Sequence, residues 1–444
     1  MDEIAADWIV QGGRILTLDP RRPAATALAV AGGRVAAVGA RSDMRAWRGR
    51  RTRVVDLHGA TVVPGLVDAH AHLDREGLKA LCPSLAGVRS IPALQARLRR
   101  LAAGRPPGAW LVTMPLGTPP FYRDAPALAE GRWPTRADLD AAVPDRPVYI
   151  RGIWGYWNRP PVHSVASSAA LRAAGITRDT VPPPGIEIAR DAAGEPTGLF
   201  VEHNAIQVLE FTLMRAAPRF THADRLRALD ESQRRYAARG VTAVYEGHGV
   251  APEVLRVYRE THAAGRLRLR CTPALSPTWA GAEEGVRAIA DLAAWAGGAG
   301  LGDDRLRVGG ICLHWGGDPE VARILHAAQP YTGWAGFVES SNDPAAYRAQ
   351  AAAAARHGLR IGTLVTRCLP EVLDVWESID AETPIRGLRW VLVHLNTADD
   401  KDAARIRRLG AVVTTNPISY LWRSAAEEVA RAGGTRRACC RTGP

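Results

Sequence analysis

The feature that most constrains the fold is an alternation of short apolar segments with Ala-, Leu- and Arg-rich segments from residue 64 onwards in this 444-residue chain. The Ala-, Leu- and Arg-rich segments have helical apolar spacing, as at Leu94, Leu98 and Leu101. Buried strands that alternate with helices form parallel sheets. So many units in about 350 residues favour an α/β fold of the (β/α)8 TIM-barrel type. A doubly wound sheet is disfavoured, because its Gly-rich dinucleotide fingerprint is absent. The predicted barrel strands are 66–69, 148–151, 241–245, 269–275, 308–313, 361–365, 390–393 and 411–415.

The first 63 residues have a different pattern, in which short β-rich runs are joined by Gly12-Gly13 and Gly32-Gly33. Glycine pairs between such runs are typical of hairpin turns. We therefore predict a small β domain over 1–63, a barrel domain over 64–430 and an irregular tail over 431–444.

Residues 104–235 are too long for one strand-to-helix connection, so we predict an insertion near the barrel mouth that forms a lid or a pocket wall. Its aromatic side chains suggest an apolar lining for a small-molecule pocket, although packing is the commoner role of tryptophan in a large insertion. These side chains are Trp110, Trp154, Tyr156 and Trp157.

The net charge of +12 does not predict a nucleic-acid partner. The positive charge is almost all arginine, scattered through helical segments, and the lysines are Lys79 and Lys401 alone. No apolar run reaches the roughly 18 residues of a membrane span, and the first residues lack the pattern of a secretion signal. We expect a cytoplasmic protein with a small-molecule substrate, no nucleic-acid or membrane partner, and a homo-oligomer as an open alternative.

The segment 64–72 reads Pro-Gly-Leu-Val-Asp-Ala-His-Ala-His, a glycine turn and an apolar strand that ends in His-x-His. Side chains two residues apart on a strand point to the same side. At the carboxyl end of a barrel strand this side faces the pocket. Two neutral imidazoles there suit a divalent cation, with Zn²⁺ first and Fe²⁺ or Mn²⁺ as alternatives. His70 and His72 are therefore predicted metal ligands.

These residues resemble the amidohydrolase superfamily, and the detail is most similar to its YtcJ-like branch. The resemblance also rests on the segments 168–171, 185–198, 240–242, 393–394 and 416–417. It implies a metal-binding barrel with a small composite β-sandwich whose first part is residues 1–63. It also implies that His394, which ends the sixth strand, binds the metal or the substrate.

The fourth strand departs from the family pattern. Many relatives bridge two metal ions with a carboxylated lysine there, whereas this chain has Cys312 at that position. A thiolate is a competent metal ligand, although a lone cysteine is more commonly a small buried side chain of the core. His314, two residues on, shares its side of the strand and is a comparable candidate.

The fifth strand and the end of the chain also depart from the pattern. The fifth strand lacks the family's histidine, and Thr363 and Thr366 are poor replacements. Glu246, His248 and Glu339 are the candidate substitutes, with polar loop residues as the blander alternative. The eighth strand and its aspartate are not recognisable, so we expect a barrel that lacks its last strand and a chain truncated or frame-shifted near residue 430.

Together these residues predict hydrolysis of a non-peptide C–N bond, in an amide or cyclic amide, by a metal-activated water. The metal ligands would be His70, His72, His394 and Cys312, and the catalytic residues His394 and Glu246. The alternatives are an impaired or truncated barrel that binds a ligand or is inactive, and a decarboxylase or isomerase on the same scaffold.

Overall fold

The structure is a computed structural model that describes residues 5–118, 122, 128–153, 160–204, 206–279, 281–296, 300–366, 368–395 and 397–415. The chain divides into two compact units, Met1–Val67 and Asp68–Pro444. None of the helices in these ranges has both the length and the apolar character that a membrane span requires.

The first unit is built on an open sheet. Its strands are β1 (Trp8–Leu16), β2 (Ala24–Ala31), β3 (Arg34–Gly39), β4 (Arg53–Asp56) and β5 (Thr61–Val62). The order is β3-β2-β1-β4, and β5 also pairs with β1. The pairs β1–β2 and β2–β3 are antiparallel, whereas β4 and β5 run parallel to β1. A 3-10 helix, Arg41–Trp47, follows β3 and buries Met44 against Ile9, Ala27 and Ala29.

The two glycine pairs of this unit have different structures. Gly32-Gly33 is a turn between β2 and β3, with φ angles of 57° and 73°, as predicted. The turn predicted at Gly12-Gly13 is wrong, because β1 continues through it with a shift of register. Gly12 has a φ of 78°, and a Cβ atom there would collide with the carboxylate of Asp56. The glycine pair is therefore used for a bulge and a close approach, which the sequence pattern does not distinguish from a turn.

The remaining strands, in chain order, are β6 (Leu66–Asp68), β7 (Leu111–Thr113), β8 (Val148–Ile150), β9 (Val162–Ala166), β10 (Ile186–Arg190), β11 (Pro196–Glu202), β12 (Val241–Val250), β13 (Arg270–Leu275), β14 (Leu301–Gly302), β15 (Arg307–Val308), β16 (Ile311–Cys312), β17 (Ile361–Leu364), β18 (Val391–Val393) and β19 (Val412–Thr414).

The α-helices are α1 (Leu73–Glu76), α2 (Ile91–Ala102), α3 (Arg136–Asp140), α4 (Ser168–Ala173), α5 (His222–Ala237), α6 (Pro252–Ala263), α7 (Ala282–Ala296), α8 (Pro319–Ala327), α9 (Pro344–Arg356), α10 (Leu369–Glu382) and α11 (Asp400–Leu409). Further 3-10 turns are Gly77–Ala80, Leu209–Phe211 and Arg386–Leu388.

A seven-stranded sheet has the order β19-β18-β17-β16-β13-β12-β6 among the described residues. Within this sheet, the strand pairs β12–β13, β13–β16, β16–β17, β17–β18 and β18–β19 are parallel. Seven of the eight predicted barrel strands lie in this sheet, which confirms an α/β fold with a parallel sheet. Cys312, the last residue of β16, pairs with Gly362 near the start of β17, and Gly362 pairs with Val391, the first residue of β18.

The eighth predicted barrel strand, 148–151, is a correction. Residues Val148–Ile150 lie in a second, five-stranded sheet of order β10-β11-β9-β8-β7, within the predicted insertion 104–235. There β8 runs parallel to β7 and antiparallel to β9. All three residues of β8 are buried, so their apolar run is what any central strand requires and does not reveal which sheet the strand joins. Residues 191–195 connect β10 to β11 in a hairpin.

Local sequence signals explain where the helices begin and end. Ser90 caps α2 by accepting a hydrogen bond from the Ala93 amide at 3.3 Å. Leu94 and Leu98, one turn apart, bury the inner face of α2. The helix α11 ends at Gly410, whose φ of 65° is the left-handed conformation common at helix C-termini.

Candidate metal centre

Three of the predicted metal ligands meet at the carboxyl ends of β6 and β18. One ring nitrogen from each of His70, His72 and His394 lies within 4.8 Å of the others. The Nε2 atoms of His70 and His394 are 2.6 Å apart. The ring centroids of His70 and His72 are 4.9 Å apart. We call this group the three-histidine centre.

Backbone hydrogen bonds and backbone conformation position His70 and His394. The His70 amide donates to Asp68 Oδ1 at 3.0 Å, and the Ala71 amide donates to the Tyr245 carbonyl at 2.9 Å. These bonds fix the segment after β6 against β12. His394 has a φ of 59°, a left-handed conformation that a non-glycine residue adopts at a cost of order 1 kcal/mol. The backbone strain is localised at a residue that directs its ring into the centre.

The electrostatic setting keeps these rings neutral. Burial lowers the pKa of His394 to about 4. Burial also holds the pKa values of His70 and His72 well below the usual range, and the neighbouring Arg75 lowers them further. Neutral imidazoles with converging nitrogens are the donor set that Zn²⁺ and similar divalent cations require. The residues present therefore fit a divalent cation.

Glu246, on β12, lies beside this centre and is fully buried. Its Oε1 accepts hydrogen bonds from the Leu73 amide and, at 2.9 Å, from the Tyr258 hydroxyl. Its Oε2 is 3.9 Å from His72 Nδ1. Burial first, and then the charge of Asp74, raise the pKa of Glu246 to about 8. One oxygen of this carboxyl group faces His72.

Asp74 and Arg75 form a buried ion pair on α1, with Arg75 Nε 3.0 Å from Asp74 Oδ1. The Arg75 guanidinium also lies 5.3 Å from the centre of the Phe337 ring. Gly336, with a φ of 71°, lets the chain pass close to the Asp74 carboxylate. The segment before Phe337 is therefore packed directly against the helix that follows His72.

Two further histidines extend the cluster. The ring of His248, on β12, is 5.3 Å from that of His394 and 5.7 Å from that of His72. The ring of His314, two residues after β16, is 6.3 Å from that of His248. Burial lowers the pKa of His314 to about 4. Both residues were candidates on sequence grounds, and the structure brings His248 next to the three-histidine centre and His314 next to His248.

The other candidates stand apart from the three-histidine centre. Cys312 is buried on β16, and burial raises the pKa of its thiol to about 12. Thr363 is bonded to the Tyr347 hydroxyl at 2.7 Å, and Thr366 is exposed. Burial raises the pKa of Glu339 to about 7. Within the described ranges, neither Cys312 nor Glu339 belongs to the group of residues whose ligand atoms converge. A ligand role for Cys312 stays a prediction.

Sequence reasoning missed two residues at the site. Thr414 ends β19 and places its Oγ1 3.4 Å from His70 Nδ1. Its position at the carboxyl end of a predicted strand was a usable signal. Tyr258, which donates to Glu246, lies on α6 and follows no motif. Helix residues that reach a site through the sheet have no signature in the local sequence.

Several sequence predictions lie outside the described residues. These are the pocket aromatics Trp154, Tyr156 and Trp157, and all predictions on residues 416–444. Trp110 is described and is half-buried against the core of the second unit.

Comparison with known proteins places the chain among hydrolases. The model of the amidohydrolase family matches residues 53–438. The N-substituted formamide deformylase of Arthrobacter pascens is 30% identical over 272 residues, which make up 59% of this chain and 46% of the relative. The putative amidohydrolase YtcJ of Bacillus subtilis is 29% identical over 225 residues, 50% of this chain and 39% of the relative. The chain thus spans less than half the length of these curated relatives.

Solved structures show the same fold. An uncharacterized metal-dependent hydrolase from Pyrococcus furiosus has a TM-score of 0.65 at 22% identity, over 97% of this chain and 80% of that chain. A similar hydrolase from Pyrococcus horikoshii has a TM-score of 0.62 at 21% identity, over 93% of this chain and 74% of that chain. The amidohydrolase family model matches most of the sequence, so the chain belongs to the amidohydrolase family.

Proposed function

We propose that the chain is a metal-dependent amidohydrolase that hydrolyses a non-peptide C–N bond of an amide or cyclic amide. The observation that carries the proposal is the convergence of three neutral histidines at one edge of a parallel sheet, of which His70 and His394 are buried and His72 is partly buried. Supporting it, the curated relatives include an N-substituted formamide deformylase. An N-substituted amide is therefore the first substrate class to test.

The three-histidine centre would hold the cation, with Zn²⁺ as our first choice and Fe²⁺ or Mn²⁺ as alternatives. A divalent cation bound there would supply Lewis-acid polarisation of a substrate carbonyl and would activate a water molecule. His70 and His72 would serve as ligands, and His394 would serve as a ligand or orient the substrate. Cys312 remains a further ligand candidate, although its protonated thiol must first lose its proton.

Glu246 is our candidate for the acid–base group. Its Oε1 is committed to backbone amides and to Tyr258, which leaves Oε2 as the oxygen that faces His72. A carboxyl group whose pKa is about 8 can donate or accept a proton near neutral pH. Phe337, 4.4 Å from His248 between ring centroids, supplies an apolar side to the same space.

We also propose that the parallel sheet is the core of a TIM-type barrel, and that the first unit is part of a β-sandwich. The carboxyl ends of barrel strands carry the active site in enzymes of this architecture. The positions of His70, His248, His314 and His394 follow that rule.

The experiment is a turnover screen of the purified full chain, loaded with Zn²⁺, Fe²⁺ or Mn²⁺ in turn. The panel contains N-substituted formamides, N-acyl amino acids, hydantoins and carbamates. We expect turnover of at least one class that a chelator abolishes and that added metal restores. His394→Ala should lose this turnover, while the control His58→Ala, at an exposed position, should keep it.

No turnover of any class, or turnover that survives complete metal removal, would contradict the proposal. The first result favours a barrel that binds a ligand without catalysis. The second result indicates a reaction that does not require a cation bound by the histidines.

A further inference from the structure

His314 is held at the edge of the histidine cluster by a chain of buried polar side chains. Its Nδ1 lies 3.3 Å from Ser340 Oγ, and its carbonyl accepts from Asn342 Nδ2 at 2.9 Å. Its Nε2 is buried and has no hydrogen-bond partner in the described part of the chain. Nδ1 thus contacts a protein side chain, whereas Nε2 can bind a ligand.

The chain of hydrogen bonds starts at a group that can only donate. Trp279 Nε1 donates to Gln350 Oε1 at 3.3 Å, and an indole N–H has no acceptor capacity. Gln350 must therefore present its amide nitrogen on the other side, where Nε2 donates to Asn342 Oδ1 at 3.0 Å. Both amide orientations follow from the indole. Gln350 is completely buried, so water does not compete for these bonds.

The order of donors and acceptors set by Trp279 continues through Asn342 and Ser340 to His314. With its oxygen facing Gln350, Asn342 points Nδ2 at Ser340 Oγ, 3.4 Å away. The Ser340 hydroxyl is therefore an acceptor on this side and keeps its own proton to donate. Within the described residues, His314 Nδ1 is the acceptor available to that proton. Nδ1 then carries a lone pair, and the neutral ring carries its proton on Nε2.

A buried N–H group without a partner costs about 1–3 kcal/mol. The ring that carries this one is 6.3 Å from His248 and 6.1 Å from Phe337, between ring centroids. His248 in turn is 5.3 Å from His394. A neutral N–H donor at this place matches an oxygen atom of a bound ligand. It does not match a cation, which requires the Nε2 lone pair that this tautomer lacks.

We propose that His314 is a catalytic hydrogen-bond donor whose Nε2–H binds an oxygen of the substrate, a carbonyl oxygen or the oxyanion formed from it, beside the three-histidine centre. Trp279, Gln350, Asn342 and Ser340 are positioning residues that fix its tautomer. The inference rests on the proposed function for the identity of the substrate, and on hydrogen-bond geometry for the donor. A preorganised donor at a developing oxyanion contributes about 10²–10³-fold to kcat.

The first test reads the tautomer directly and needs no activity. Two-bond ¹H–¹⁵N correlation spectra of the metal-free full chain, labelled at histidine nitrogen, distinguish Nε2–H from Nδ1–H. The His314 signals are assigned by their loss in His314→Gln. We expect an Nε2–H ring in the wild type and a larger Nδ1–H population in Ser340→Ala, which removes the donor to Nδ1. An Nδ1–H ring in the wild type overturns the proposal.

The second test uses formate as a probe for the oxygen site. In the metal-loaded protein, formate should move the Nε2–H proton resonance of His314 downfield. The control His357→Gln, on an exposed histidine, should leave this shift unchanged. The absence of any shift at His314 overturns the proposal, whether or not the chain turns over a substrate.

The third test separates this proposal from the metal-dependent chemistry. His314→Ala should lower kcat by about 10²–10³-fold with full metal content, and His314→Gln, which retains an N–H donor, should recover part of the loss. Loss of bound metal in His314→Ala would identify a ligand instead. Equal kcat in the wild type and His314→Ala would show that His314 has no role in catalysis. A wild type without turnover contradicts the proposed function, and the formate shift then decides the donor.

Discussion

Glu202 gives a prediction in which the sign and size of a pH effect follow from the structure. This carboxyl group ends β11 and is only 1% exposed. Burial raises its pKa from 4.5 to about 8, although the amides of Val208 and Leu209 donate to its Oε1 and lower the pKa in part. The folded protein therefore holds this proton more tightly than the unfolded chain does.

The neutral carboxyl stabilises the fold fully below pH 4.5, and this contribution is lost as the pH rises through about 8. At about 1.36 kcal/mol for each pH unit, the difference between 4.5 and about 8 gives an upper bound of about 5 kcal/mol. Glu202→Gln removes the titration and keeps a side-chain oxygen for the two amides. We expect the wild type to lose about 2–4 kcal/mol more than the variant between pH 5 and pH 9.

The assay is the free energy of unfolding from urea titrations at several pH values, for the wild type, Glu202→Gln and the exposed control Glu187→Gln on the neighbouring strand. Subtracting the unfolding free energy of one chain from that of the other cancels the contribution of the other buried carboxyl groups. Glu187→Gln should follow the wild type. Parallel pH curves for the wild type and Glu202→Gln would refute the reasoning.

Three further substitutions test other parts of the second unit. Arg151→Met leaves Glu210 buried without its bidentate partner, so urea titrations should show a loss of about 3–5 kcal/mol, and less in the double variant Arg151→Met/Glu210→Leu. Equal losses in the two would contradict the pairing. Gly336→Ala should lower the melting temperature, because its Cβ would displace the Asp74 carboxylate at a φ of 71°; an unchanged melting temperature would refute this. Ser90→Ala should cost about 1 kcal/mol by removing the cap of α2, and no change in unfolding free energy would contradict that role.

The sequence predicted the parallel sheet and the histidines at its edge because both depend on local patterns. Apolar segments of strand length recur between helical segments, and the carboxyl end of each is recognisable from the polar residue that follows. His70, His72, His314 and His394 all stand at such ends, and the fold brings them together. The close approach of His70 to His394 could be inferred only by assuming the barrel.

The sequence did not reveal what depends on partners distant along the chain. Val148–Ile150 has the composition of a barrel strand, yet its neighbours are Leu111–Thr113 and Val162–Ala166, because strand pairing is not encoded in one segment. The contacts of Glu246 with the Leu73 amide and with Tyr258 are similarly non-local. The donor tautomer of His314 depends on a chain of four side chains and has no sequence motif.

The central claim is that His70, His72 and His394 bind one divalent cation. The most direct measurement is the metal content of the purified chain by mass spectrometry, after loading with Zn²⁺ and removal of unbound ions. We expect about one equivalent in the wild type and in the exposed control His58→Ala. His70→Ala, His72→Ala and His394→Ala should each retain much less. A wild type that holds no stoichiometric metal, or three variants that bind as much as the wild type, would contradict the account.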